Sequence, residues 1–519
     1  MKDNLNKSET SNIASLNIMK NIDILASRRA GVLCHPTSLP GPLSSGDFSH
    51  QAYRFIKFLE ESKLSVWQML PLGPVHYDHS PYQCMSVHAG NPYLISLDWL
   101  VDYKLLDKIS DQEFLNINSI TESDKFRLSC LHKAYDNFIE IKNKKLTHAF
   151  NIFIKDNQSW LDNYSLYICI RQNRHGAPWY QWPDSLRDRN MDALKAESDK
   201  LQYEILREKF IQFTFFQQWQ EIKKFANERN IYLFGDIPIF IAHDSADVWA
   251  NRQYFSVLSD GSLKTVAGVP PDYFSETGQR WGNPQYNWKK LSSDKFVWWH
   301  ERIATQLKLF DLLRIDHFRG FEAYWEIKAD AETAKNGKWV TAPGKRFLNS
   351  VKSTFGTLPL VAEDLGIITD KVIKLREQFS IPGMKILHFA FDGDANNSYL
   401  PHQHEKNSVV YTGTHDNDTT LSWYMQLPDD IKNKMNNYYG YNIGPTMPWP
   451  LIRTALASRS NLAIIPMQDL LSLGENNRMN TPGTTEDNWL WRFNWEQVPN
   501  NLTEILSELV SLFDRNCNT

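Results

Sequence analysis

Four acids in this chain close short apolar runs, and two of them have a histidine beside them. They are Asp236 in "LFGDIPIF", Asp316 in "DLLRIDHFRG", Glu363 in "LVAEDLG" and Asp416 in "YTGTHDND", with His317 after Asp316 and His415 before Asp416. Along a strand, side chains alternate between faces, so Arg314 shares a face with Asp316 while Leu313 and Ile315 take the other. A single acid at a strand end can equally serve as a helix N-cap, and for Asp236 alone that alternative stays open. Three acids gathered at one place repel one another unless a function retains them. Two carboxylates flanking a glycosidic bond divide the work: one attacks the anomeric carbon, and the other protonates the leaving oxygen and later activates the acceptor. Retention of configuration asks for a separation of about 5 to 5.5 Å. Arg314 would keep Asp316 ionised and oriented, and the negative neighbours Asp316 and Asp416 would raise the pKa of Glu363 and keep it protonated.

For residues so far apart in sequence to meet, the fold must bring strand ends to one mouth. Eight short β-rich runs are legible, beginning near Gly31, Ser65, Ile231, Phe310, Leu358, Met384, Ser408 and Leu462, and helical patterns lie between most of them. Ala52, Phe55, Ile56 and Leu59 fall at the spacing of a helix face, as do Phe215, Trp219, Ile222 and Ala226. The alternation predicts an α/β chain folded as a (β/α)8 barrel, in which the C-terminal ends of all strands share one face. The spacing is uneven. A mostly helical insertion is expected over about 96–225 and an active-site loop insertion over about 245–300, within a catalytic unit spanning 29–519. Residues 1–28 read as a flexible N-terminal extension.

Composition narrows the partners. With 56 Lys+Arg against 60 Asp+Glu the net charge is -4, which gives no basic footprint for nucleic acid or an anionic membrane surface. Cys34, Cys84, Cys130, Cys169 and Cys517 are odd in number and widely spaced, without a metal-ligand pattern, and read as free thiols of a cytoplasmic protein. The N-terminus lacks a signal-peptide core, and no apolar run has the roughly 20 residues of a membrane helix. The 18 Trp could fill a core or form exposed platforms for sugar faces. No metal is expected: HExxH is absent, a set built on Asp316, His317, His415 and Asp416 lacks an HxH on the first run, and "FDGDANN" from Phe391 departs from EF-hand spacing and reads as a turn. No phosphate-binding Gly-rich loop appears, and no cofactor is implied.

The motifs "LLRIDHFRG", "LVAEDLG" and "YTGTHDND" resemble those of the α-amylase superfamily. Together with "HPTSLPGP", "SPYQ", "GDIPIF", "VAGVPPDYFSETGQRWGNP", "GFEAYWEI", "IPGMKIL" and "RMNTPG", they are similar to the 4-α-glucanotransferases called amylomaltases or disproportionating enzymes, over about Gly31 to Phe493. The resemblance implies Asp316 as nucleophile, Glu363 as general acid/base and Asp416 as a third carboxylate that stabilises the transition state, with Arg314, Asp236 and His415 around them. It implies sugar contacts for Tyr82, Ser80, Asp272, Gln279, Trp281 and Asn480, and for Tyr77 at a secondary glucan site. The partners it implies are α-1,4-glucan donors and glucose or maltooligosaccharide acceptors, handled by a monomer or weak homodimer. One departure is local: "YDHSPY" has Asp78 and His79 where the family commonly reads Gly-Asp. An α-glucan hydrolase with the same carboxylates is the alternative within the class, and a non-catalytic glucan-binding protein is the alternative outside it.

Overall fold

The computed structural model describes residues 24–117, 119–271, 275–356 and 358–516. Eight parallel strands form its centre: Arg29–Leu33, Val66–Gln68, Tyr232–Pro238, Leu312–Asp316, Leu360–Ala362, Gly383–Ile386, Ser408–Tyr411 and Leu462–Pro466. Taken as the first to eighth barrel strands, each pairs with its successor from the first to the fifth and from the sixth to the eighth, and the eighth pairs with the first. The predicted barrel is therefore present, with a thin seam between the fifth and sixth strands.

That seam is joined by a side chain where a ladder would otherwise run. The Ala362 N–H donates to the Pro382 carbonyl at 2.9 Å, and Asp364 Oδ1 accepts the Met384 N–H at 2.8 Å. Arg376 Nε lies 3.2 Å from the second oxygen of Asp364, and burial pushes that carboxyl up while Arg376 draws it back down. Gly383 makes the approach possible, since a Cβ there would lie 2.3 Å from Asp364 Oδ2.

Strand alternation sorts the core into two shells. Leu313, Ile315, Leu233 and Ile237 face the helical layer, whereas Leu312, Phe234, Val66, Val361, Ile386, Val409 and Ile464 fill the barrel interior. Bulky side chains packed in layers make this interior a solid plug with no open pore. Toward the mouth the lining turns polar, and the Tyr411 hydroxyl donates to Gln68 Oε1 at 2.9 Å.

Between the second and third barrel strands the described chain is mostly helical, and its last helix does two jobs. Gln202–Asn227 buries Phe210, Phe213 and Phe216 among the insertion's aromatics and Trp219 and Ile222 against the barrel, so the insertion and the barrel share one core. Following the second insertion, helix Val297–Leu309 likewise belongs to the barrel layer. An antiparallel sheet absent from the sequence reading joins strands Gln279–Pro284, Thr265–Val269, Ala323–Lys328 and Lys338–Thr341, in that order. It binds the second insertion to the segment after the fourth barrel strand. Residues 24–28, placed by the sequence reading in the flexible extension, are held to the body: Arg28 donates to the carbonyls of Ser458, Leu456 and Phe513, and the Ile24 carbonyl accepts from Arg29. Among the described residues no helix is long and apolar enough to cross a membrane.

Candidate active site

The third and fourth barrel strands pair with Asp236 directly opposite Arg314, which places an anion and a cation in one cross-strand pair inside the barrel. The Arg314 guanidinium forks, donating to Asp236 Oδ2 at 2.5 Å and to Asp316 Oδ1 at 2.8 Å. Such a planar fork fixes two carboxylates in angle as well as distance. Asp236 and Arg314 are buried, while Asp316 at the strand end is partly open to solvent. Burial favours the neutral form of Arg314, but Asp236 and Asp316 outweigh it and hold the guanidinium charged. The Tyr82 hydroxyl donates to Asp236 Oδ2 at 2.7 Å and lies 2.8 Å from His415 Nε2, with its ring stacked on the imidazole at 13°. Asp236 thus draws Tyr82 and Arg314 to one oxygen.

Glu363 stands just beyond the fifth strand, and the segment after Asp316 cradles it. The His317 N–H donates to Glu363 Oε2 at 2.7 Å and the Leu365 N–H to Oε1 at 2.9 Å. These donors and Arg314 favour the carboxylate, yet burial outweighs them and Asp316 adds to it, so Glu363 is pushed up from 4.5 to about 7. The sequence reading expected Asp316 and Asp416 to cause this rise. Desolvation comes first, and Asp416 is instead occupied elsewhere: Asn480 Nδ2 donates to its Oδ1 at 2.6 Å, Arg478 donates to its carbonyl at 2.9 Å, and His415 Nε2 lies 3.4 Å from its Oδ2.

The small antiparallel sheet supplies the remaining wall. Trp281 Nε1 donates to Gln279 Oε1 at 3.0 Å, and the indole meets the His317 ring edge-on at 4.9 Å. His317 has left-handed backbone, φ 55°, so the chain turns sharply after Asp316 and presents its imidazole to Trp281 and its N–H to Glu363. Burial lowers the His317 pKa to about 4, so the ring that Trp281 touches is neutral.

Nine side chains expected at the site therefore meet around one mouth: Asp236, Arg314, Asp316, Glu363, Tyr82, His415, Asp416, Asn480 and Trp281, with Gln279 bonded to Trp281. Ser80 is one turn away, its hydroxyl accepting the Tyr82 N–H at 3.4 Å. Tyr77 stands in solvent, 93% exposed. Asp272 lies outside the described residues. Two contributors, Trp489 and Arg478, escaped the sequence reading, and a third, His317, was noted there beside Asp316 without this role. Trp489 packs at 5.7 Å from Tyr82 and 6.1 Å from His415, Arg478 holds the Asp416 backbone, and His317 links Glu363 to Trp281. Arg478 lies in the "RMNTPG" motif that carried Asn480, so its proximity was within reach, whereas Trp489 was one Trp among many. Half of those Trp are buried core, including Trp67, Trp179, Trp219, Trp249 and Trp299, and only Trp339 is among the largely exposed residues described.

At this mouth two neighbouring carboxyl groups sit in different environments: Asp316 accepts from Arg314 at the open strand end, while Glu363 is buried and pushed up to about 7. The family model described as 4-alpha-glucanotransferase matches residues 34–498. The chain belongs to the 4-alpha-glucanotransferase family. Two relatives of that name are a Synechocystis protein, 45% identical over 95% of this chain and 99% of its own length, and a Thermus thermophilus protein, 43% identical over 90% and 94%. Among solved structures, an amylomaltase from Streptococcus agalactiae in complex with acarbose superposes with a TM-score of 0.89 at 36% identity, covering 94% of this chain and 99% of that one.

Proposed function

We propose that this 4-alpha-glucanotransferase works by retaining double displacement. Asp316 attacks the anomeric carbon of an α-1,4-glucan, while Glu363 gives its proton to the leaving oxygen. The reducing-end fragment departs, and Glu363, now a base, takes the proton from the 4-hydroxyl of an incoming glucan or glucose as that oxygen displaces Asp316. The observation that carries this reading is the Arg314 fork: it holds and aims Asp316, while the neighbouring Glu363 is pushed up to about 7. Nucleophile and acid thus differ in environment although they stand at the ends of paired strands. Asp416, held by Asn480 and close to His415, is the third carboxylate, in reach of sugar hydroxyls on the donor side with Tyr82 and Ser80. Gln279 and Trp281 stand on the opposite wall, a sugar contact for Asp272 rests on the family resemblance alone, and Tyr77 offers an exposed ring for a second glucan contact.

Transfer requires the glycosyl-enzyme to survive water. Water outnumbers a millimolar acceptor on the order of ten-thousandfold, which asks for roughly 5 kcal/mol of discrimination. The Trp281–His317 contact supports the loop between Val266 and Pro284 as the source, since it lays an indole against the turn that holds both carboxylates. The hydrolase alternative is disfavoured by the family's named activity.

Incubation with maltotriose alone, with products separated and reducing ends counted, tests the whole reading. Glucose and longer maltooligosaccharides should appear at a constant reducing-end count, and Asp316→Asn should lower turnover by about 10⁴-fold or more, the scale on which loss of a covalent catalyst is felt. A count that climbs with turnover, or an Asp316→Asn protein that keeps its rate, would sink it.

A further inference from the structure

The segment after the sixth barrel strand contains "FDGDANN", a run of cation-like chemistry that the proposed reaction leaves unused. Its acids are engaged within their own loop. Asp394 Oδ1 accepts the Asn396 N–H at 2.8 Å, and Asp392 Oδ1 accepts from Asn397 Nδ2 at 2.9 Å. The turn's carbonyls do face a cation, and that cation is a side chain. Lys434, on helix Asp429–Tyr439, donates from Nζ to the Phe391 carbonyl at 3.0 Å and to the Gly393 carbonyl. Carbonyl oxygens of a tight turn are the ligands a hard metal ion would take, and an ammonium with three donors can satisfy them instead.

The turn is mechanically joined to the mouth. Asn397 Nδ2 also donates to the Phe389 carbonyl at 2.7 Å, and the Phe389 ring meets Tyr399 edge-on at 5.5 Å. Phe389, Tyr399 and Leu365 pack on the same interior cluster as Met384 and Ile386, and the Leu365 N–H is one of the two that hold Glu363. The Glu363 charge reaches Tyr399, adding to the burial that raises its phenol. Behind the turn, buried Phe391 packs against Tyr438 and Tyr439, from the helix that carries Lys434.

We propose that Lys434 is a positioning residue that acts as a tethered cation: its ammonium fixes the turn around Phe391 and Gly393, and through Asn397 it fixes the wall of Phe389 and Tyr399 beside Glu363, where the acceptor enters. The acceptor part of this statement rests on the role assigned to Glu363 above. A cation carried on a helix is present at full occupancy whatever the metal supply, so the wall is ordered without a free ion.

Two variants separate charge from packing: Lys434→Met keeps the stem and loses the donors, while Lys434→Arg restores a cation. Amide hydrogen exchange of the free protein should quicken about tenfold over residues 387–404 in Lys434→Met and return toward the parent in Lys434→Arg, the scale expected for losing hydrogen bonds to one charged group. With maltotriose as donor and glucose as acceptor, Lys434→Met should raise the acceptor KM about five- to tenfold, with kcat changed less than about twofold, and Lys434→Arg should recover most of it. Unchanged exchange in Lys434→Met, or an arginine variant as impaired as the methionine one, would overturn the tethered cation. Quickened exchange with an unmoved acceptor KM would overturn the link to the acceptor wall. Because exchange is read without substrate, the tethered cation is tested independently of whether Asp316→Asn bears out the catalytic roles; only the acceptor arm shares their fate.

Discussion

Glu363 must hold a proton until the leaving oxygen takes it, and the structure keeps that proton by burial against the opposition of two backbone donors and Arg314. The functional sign follows directly: only protein with Glu363 protonated can begin a cycle, so kcat/KM should fall as pH rises through about 7, which a pH–rate profile with maltotriose would reveal. The stability sign is the same. A carboxyl raised in the folded state makes the fold hold more protons than the unfolded chain between 4.5 and about 7, so stability declines as pH rises across that window. Glu363→Gln should therefore lose transfer activity yet melt at or above the parent at pH 8, and a lower Tm there would contradict the desolvation account. At this scale Asp316 and Arg314 were readable because alternation in "LLRID" assigns faces, and Glu363 because it closes the apolar run of "LVAEDLG". The cause of the Glu363 shift was not readable, since desolvation belongs to neighbours contributed by other strands and Asn480 removes Asp416 from the account.

Between elements, two junctions govern the mouth. The first is the seam where Asp364 stands in for a strand ladder against Gly383. Gly383→Ala would force a methyl into the carboxylate, and we expect a loss of about 1–3 kcal/mol in urea unfolding, together with reduced kcat because Asp364 adjoins Glu363. The second is the contact of Trp281 with His317. Trp281→Ala should raise the ratio of hydrolysis to transfer, measured as reducing ends released per glucose transferred, while an unchanged ratio would remove this loop from the selection against water. Sequence periodicity marked all eight barrel strands, because each is an apolar run bounded by turn residues. It missed the antiparallel sheet, whose strands carry exposed polar residues such as Arg280 and Lys338 and whose central pairing spans some 60 residues of chain. A period-two signal that short does not distinguish an edge strand from a loop.

Over the molecule as a whole, the two ends of the described chain are clasped together beneath the barrel. Arg515 is fully buried, and its guanidinium donates to the carbonyls of Leu456, Arg29, Asn461, Ala455, Ser458 and Ser460, several of them at the C-terminal end of helix Trp449–Ala457. Burial and the nearby Arg28 push it down to about 9, but a cation at the negative end of a helix dipole is well placed. Arg515→Ala would leave these carbonyls unpaired in the interior, and a loss of about 2–4 kcal/mol is expected in thermal or urea unfolding. No sequence signal pointed to this residue, because its partners are backbone atoms and any residue type can supply them. The clasp also sets an order of events during synthesis. The first strand must wait for the eighth, more than four hundred residues later, and the final bolt arrives with Arg515. At about 5–20 residues per second the ribosome exposes Val32 and its neighbours as an open sheet edge for roughly 20 to 90 seconds. Nascent chains stalled before Leu462 should accordingly be cut readily by protease, and those released after Arg515 should resist.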